Sequence, residues 1–370
     1  MNKSFSIYLD LVRFAAACLV YVWHSNNRYL TKEVPLASGY GHSAVVVFFV
    51  LSGFVIAYVT DTKEKTWTSY AASRLSRVYS VAVPALVLTV ILDAVGRSLH
   101  PALYSYPFDQ FAVRLVASFL MLNEIWLVSI TSFSNVPYWS IAFEVWYYVI
   151  FGVAMFTPRR WRFLALLSCL LLVGPKILLL LPIWWSGVGL YRWERLQQIS
   201  RGFAWSLVVV SVVGIIGFHG LSVYERPALA TEALLGAALY RDLTFAKQFL
   251  ADYLLAFLVC CNFAGMRAVA SSWGTLLIPI EKPVRWVASF TFTLYLLHQP
   301  LMLFWASVVR GRPETFQYWS TVTLLTAASI VAVGYVTENR RHEFRTAIER
   351  LLQRLQERTR RKSEAVEAVQ

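Results

Sequence analysis

The chain has 370 residues, 58% of them hydrophobic and 15% charged, with a net charge of +13. A soluble domain carries about 25% charged residues, so this deficit, with a mean hydropathy of +0.54, excludes an ordinary soluble enzyme and points to the bilayer. The basic residues sit in short loops and a C-terminal tail, not in patches interleaved with stacking aromatics, which suits membrane topology and argues against a nucleic-acid partner.

A spanning helix needs roughly 20 mostly apolar residues. Such stretches lie at about 5–25, 44–60, 78–96, 138–157, 161–176, 178–192, 203–220, 249–266, 287–309 and 317–337. The expected fold is therefore all-α, a polytopic bundle of about ten spans. The segments 111–131 and 228–240 are also apolar and are read as re-entrant or interfacial. With that reading Arg74, Arg77, Arg159, Arg160, Arg162, Arg192, Arg195, Arg201, Arg267, Lys282 and Arg285 share one side with both termini, the cytoplasmic side by the positive-inside rule. One loop with Arg241 and Lys247 stays on the other side, a minor violation of the rule. Residues 1–338 form the expected membrane domain, and 339–370 a basic cytoplasmic tail in which Ile348, Leu351, Leu352 and Leu355 make an amphipathic stripe. The first apolar segment contains Asp10 and Arg13 and has no small-residue cleavage site, so it reads as a retained helix. Cys18, Cys169, Cys260 and Cys261 fall in apolar runs without ligand spacing, which suggests neither a metal site nor a disulfide frame.

Ionisable side chains inside spans cost about 2.5–3.5 kcal/mol each at the helix centre, so they mark function unless they pair or snorkel. The first helix carries Arg13 and His24. Eleven residues make about three turns, which puts both on one face, roughly 16 Å apart. A snorkelling arginine and an interfacial histidine are the plain alternative. In the second helix, Phe48–Phe54 includes Ser52 and Gly53, small residues that allow close helix packing. Arg74 and Arg77 follow, three apart on one side of a helix start, suited to a phosphate or to anchoring the span. Tyr138–Tyr148 contains Trp139, Ser140 and Glu144. A carboxylate in so aromatic a helix needs a partner, and His24, expected at similar depth, would give a His–Glu base pair. Late in the chain Tyr295 and His298 precede a kinking Pro300.

These segments together resemble the acyltransferase-3 family of integral membrane O-acyltransferases. The resemblance rests on Leu9-Asp10 through Arg13 to His24, Phe48–Phe54, Arg74 and Arg77 followed by Pro84, Trp139-Ser140 through Glu144, and Tyr295–His298, in the family's order. It is dense over 8–150, moderate over 285–302, and a matter of hydropathy over 160–280. Where the family often has an acidic residue before the Phe48 run, this chain reads Ala44-Val45-Val46-Val47. The resemblance implies a ten-helix domain that takes acyl-CoA, most often acetyl-CoA, as co-substrate, with no metal. It implies His24 as the catalytic histidine with Arg13 as its partner, and Arg74 and Arg77 on the donor side.

The resulting expectation is transfer of an acyl group from coenzyme A to a hydroxyl of a carbohydrate or glycolipid acceptor, in a bacterial inner membrane. Arg13, Arg74 and Arg77 would hold the donor, and Trp139, Ser140, Tyr295 and His298 would line the acceptor's place. His24, oriented by Glu144, would deprotonate the hydroxyl. Enzymes of glycan assembly are possible partners. A secondary exporter of a glycan precursor would also explain buried polar groups, as would a scaffold for glycan enzymes. A His24→Ala variant separates the three.

Overall fold

The structure, a computed structural model, describes residues 1–26, 30 and 40–367. Its helices, in order, are α1 (Lys3–His24), α2 (Tyr40–Thr62), α3 (Trp67–Leu99), α4 (Phe111–Phe119), α5 (Trp139–Phe156), α6 (Arg159–Val173), α7 (Pro175–Arg192) and α8 (Arg201–Gly220). There follow α9 (Glu225–Leu235), α10 (Ala237–Asp242), α11 (Phe249–Val269), α12 (Gly274–Leu277), α13 (Glu281–Ala288), α14 (Thr291–Val308), α15 (Phe316–Val336) and α16 (Arg341–Glu367). The protein is an all-α, multi-pass membrane protein.

Seven helices among the described residues are long and apolar enough to cross a membrane, or eight if α13 and α14, bent by 50° at their junction, form one span. The expected count of about ten is thus slightly high. The excess lies in the hairpin of α6 and α7, since α6 has only 15 residues and α7 contains Pro182 and the buried Lys176. Seven of the other eight expected spans coincide with a helix to within a few residues, and the eighth, 78–96, is the later part of α3, which begins eleven residues earlier at Trp67. The apolar segments 111–131 and 228–240 hold only α4, α9 and α10, of 9, 11 and 6 residues.

Lateral faces remain apolar toward lipid, as Val87, Ile91, Val210, Val213 and Leu324 illustrate. The core lies between α1, α2, α5, α7, α11 and α14, where aromatic rings interlock edge to face. Trp184 packs against Tyr147, Tyr148 and Phe151 at 5.6–6.3 Å between centroids. The tail helix α16 packs along α3, with Arg345 Nη2 donating to Ser69 Oγ at 3.4 Å. Ile348 and Leu352 are half-buried and Leu351 is exposed. Leu355, the last residue of the expected stripe, lies outside the residues whose side chains are described, as do residues 368–370.

The turn between α6 and α7 shows how buried charge is tolerated. Gly174 has φ 75°, a conformation that favours glycine, and Pro175 opens α7 where no N–H is needed. Lys176, wholly buried, donates to Glu124 Oε2 at 2.6 Å and to the Val128 carbonyl at 2.5 Å. Burial pushes the Glu124 carboxyl above its ordinary 4.5 even with Lys176 alongside. Removing one partner of such a pair costs about 3–5 kcal/mol. Lys176→Met is therefore expected to lower thermal stability in detergent sharply at neutral pH. A carboxyl raised in the folded state keeps its stabilising effect below about pH 4.5 and loses it as the pH rises. The variant's deficit should therefore shrink toward acid pH. A deficit that is the same at pH 4.5 and 7.5 would count against an uncompensated Glu124 charge.

Candidate functional site

Two cavities lie end to end along α1. The inner one is lined by Arg13, Ser52, Arg77, Glu144, Tyr148 and Glu338 among others. Arg13 Nη2 donates to Asp10 Oδ1 at 2.7 Å, and Asp10 also accepts from Arg285 Nη1 at 3.0 Å. The buried Arg13 Nε has no partner among the described residues. Arg77 lines the same wall, and its guanidinium makes no hydrogen bond or ion pair among the described residues. The two carboxylates of the cavity, by contrast, are engaged by neutral donors. Glu144 accepts from Ser52 Oγ at 2.6 Å and from the Tyr148 hydroxyl. Glu338 accepts from the Thr293 N–H and hydroxyl, both at 3.0 Å. Trp184 Nε1 holds Ser52 from behind at 3.1 Å. The cavity thus offers guanidinium donors to an anion at one wall and a closed hydrogen-bond set at the other.

The outer cavity is lined by His24, His42, Trp23, Trp139, Phe245 and Tyr295 among others. Val45 and Tyr295 are walls of both cavities. Near that shared wall the Ser140 hydroxyl meets the Tyr295 hydroxyl at 2.6 Å. His24 stands at the end of α1 with Nδ1 3.0 Å from the Val20 carbonyl and 3.1 Å from Nε2 of His298.

The protons of this histidine pair follow from its acceptors. His298 Nδ1 lies 2.8 Å from the Tyr295 carbonyl and 3.2 Å from that of Leu294. A carbonyl only accepts, so His298 Nδ1 bears the hydrogen and its Nε2 presents a lone pair. His24 Nδ1 must then be the donor between the rings, which leaves Nε2 as the basic nitrogen of His24. His298 therefore sets the tautomer that a general base at His24 requires.

The structure brings Arg13 and Arg77 together, and joins Ser140 to Tyr295 and His24 to His298. It does not form the expected His24–Glu144 pair. Glu144 belongs to the inner cavity with Ser52 and Tyr148, deeper than His24. The cause is the segment before α5, whose Ser134 binds Asp93 through its N–H and hydroxyl at 2.9 and 2.5 Å. Asp93 precedes the end of α3 by six residues, about 9 Å at 1.5 Å per residue. The start of α5 is thus sunk below the end of the bundle, and Glu144 with it. Arg74, expected beside Arg77, turns elsewhere. It donates to Glu64 at 2.7 Å, sits 5.6 and 5.8 Å from the ring centroids of Tyr70 and Tyr148, and faces a lipid-side groove between α3 and α5. Residues three apart on a helix are offset by about 60°, enough to put them on opposite sides of one wall. His298, expected to line the acceptor's place, is fully buried behind His24. Trp139, Ser140 and Tyr295 do line cavity walls.

Ser52, read from sequence as a packing residue, is the donor that secures Glu144. His42, Asp252 and Glu338 went unnoticed in the sequence. The argument that flagged Glu144 applies equally to Asp252, a carboxylate inside the apolar run 249–266. His42 and Glu338 sit at helix ends, where polar residues are ordinary and carry no signal.

Comparison with known proteins gives two findings. The model of the acyltransferase-3 family, described as an acyltransferase domain, matches residues 6–338. The exopolysaccharide production protein ExoZ of Rhizobium meliloti (strain 1021) is 30% identical over 129 residues, which are 33% of this chain and 37% of that protein. No solved structure matches.

Proposed function

The chain belongs to the acyltransferase-3 family, and from that premise we propose that this membrane acyltransferase moves an acetyl group from acetyl-CoA to a hydroxyl of a surface or exported polysaccharide. The observation that carries the reading is the pair of cavities sharing Val45 and Tyr295, with Arg13 and Arg77 in one and His24 in the other. Arg77, which lines the inner cavity, and Arg13, with its unpartnered Nε, receive the phosphates of the donor. The pantetheine arm passes Tyr295 and brings the thioester to His24. His24 Nε2 takes the proton of the acceptor hydroxyl as the oxygen attacks the carbonyl carbon. His298 holds the ring in the required tautomer, and Glu144, with Ser52 and Tyr148, shapes the passage between the cavities. ExoZ, by its name, takes part in exopolysaccharide production, which supports a polysaccharide acceptor here. A bacterial inner membrane with the arginine mouth toward the cytoplasm fits a donor made inside and an acceptor reached outside. Separate enzymes of glycan assembly would supply that acceptor.

The test is mass spectrometry of envelope and secreted glycans from cells with and without the protein. An acyl mass increment lost on deletion and restored by the wild-type chain, but not by His24→Gln, is the expected result. Glycans that keep every acyl increment on deletion would overturn the reading. A second prediction concerns the donor grip. A hydrogen bond to a charged group contributes about 1.5–3 kcal/mol, so Arg77→Gln should weaken coenzyme A binding by about 10–100-fold. Calorimetry on the purified protein with coenzyme A measures it, and unchanged affinity would remove Arg77 from the donor site.

A further inference from the structure

His42 opens α2 and lines the same outer cavity as His24. Its Nε2 lies 3.0 and 2.9 Å from the two carboxylate oxygens of Asp252, in the first turn of α11. Asp252 is 2% exposed. An ionised carboxylate only accepts, so His42 Nε2 bears a hydrogen. His42 Nδ1 makes no hydrogen bond among the described residues. The ring lies nearly parallel to that of Trp139, 6.5 Å between centroids at 12°, and Trp139 is itself stacked on Phe245 at 4.4 Å and 2°. A carboxylate and an aromatic stack therefore fix the orientation of this imidazole from two sides.

The two imidazoles of the cavity have different partners. His24 donates its Nδ1–H to His298 Nε2, the tautomer in which Nε2 takes up a proton. His42 has a full negative charge 2.9 Å away, which balances a ring protonated on both nitrogens. One ring is built as a base, the other as a cationic N–H donor.

We propose that His42, held by Asp252, is the oxyanion donor of the transfer reaction. This rests on the acyltransferase reading above and adds to it a second catalytic residue, His42, and a positioning residue, Asp252. The acceptor oxygen forms its bond to the thioester carbon while its proton passes to His24 Nε2. The carbonyl π pair moves onto oxygen, where His42 Nδ1–H holds it by a hydrogen bond. That pair re-forms the carbonyl as the C–S bond breaks. The bonding electrons leave on sulfur, which takes the proton back from His24. His42 neither gains nor loses a proton. Preorganised donors of this kind act where charge develops in the transition state, so they bear on kcat more than on KM.

The experiment uses membranes of the producing cells, which supply their own glycan, with radiolabelled acetyl-CoA as the probe and incorporated label as the rate. Removing one oxyanion donor costs about 10²–10³-fold in kcat, so His42→Ala should lose that much with KM for acetyl-CoA nearly unchanged. His42→Asn, whose amide N–H stands near the position of Nδ1, should recover part of the loss. Asp252→Asn should lower kcat at unchanged KM. Thermal unfolding of each purified variant shows whether it is folded, and His42→Asn carries the test if His42→Ala is not. The proposal is overturned if kcat survives His42→Ala within a few-fold, if the loss is wholly in KM, or if His42→Asn is no better than alanine. Activity lost in His24→Gln but kept in His42→Ala sinks this inference alone, whereas full activity in both also sinks the reading it rests on.

Discussion

His24→Gln should lower acyl transfer by about 10²–10⁴-fold, the usual contribution of a positioned general base, while coenzyme A still binds. Glutamine fills similar space and can keep a hydrogen bond toward His298, so the fold should tolerate it. It cannot take a proton. The donor's grip lies in the inner cavity, at Arg77 and at Arg13 three helical turns along α1, so binding and chemistry should separate cleanly in this variant. His298→Ala should give a smaller loss, because it removes the acceptor that turns His24 Nδ1–H away from the cavity without removing the base itself. Label transfer from acetyl-CoA and calorimetry with coenzyme A read the two effects. Wild-type transfer by His24→Gln would show that this imidazole takes no part in the chemistry.

Gly53→Val is expected to abolish the folded protein rather than its activity alone. At the crossing of α2 and α7 the backbones touch. A Cβ on Gly53 would lie 1.9 Å from the Trp184 carbonyl oxygen, and one on Gly187 would lie 2.0 Å from that of Val50. The obstacle on each side is main chain, which has no rotamer to yield, so the helices themselves must part. Overpacking within a core typically costs about 1–3 kcal/mol, and separating two helices along their contact exceeds that range. The same crossing holds Ser52 between Trp184 and Glu144, so any survivor should also lose the hydrogen bonds that close the inner cavity. Gly53→Ala should show a milder form of both losses. Yield of monodisperse protein and its unfolding temperature measure the effect. A Gly53→Val protein as stable as wild type would mean that α2 and α7 do not meet at these glycines.

The membrane class of the protein and most of its helices were legible because hydrophobic length is a local property, counted along the chain. Arg13 and His24 were legible for the same reason, since both lie on one helix whose pitch fixes their separation. The ordering of short motifs pointed to the family without any knowledge of how the helices pack. The partners of His24 and Glu144 were not legible. Depth within a bundle depends on how far each helix start is sunk, and the anchoring of Ser134 on Asp93 sets that for α5. Glu144 therefore met Ser52 and Tyr148, while His24 met His298, 274 residues away. Arg74 and Arg77 look equivalent in sequence, yet a 60° offset sends one to Glu64 and leaves the other facing the cavity. His42 and Asp252 are 210 residues apart and become a pair only because α2 and α11 pack together. The linear chain determined which side chains are costly to bury. Tertiary packing alone decided which of them meet, because hydrogen bonds reach about 3 Å and only the folded bundle brings distant segments that close.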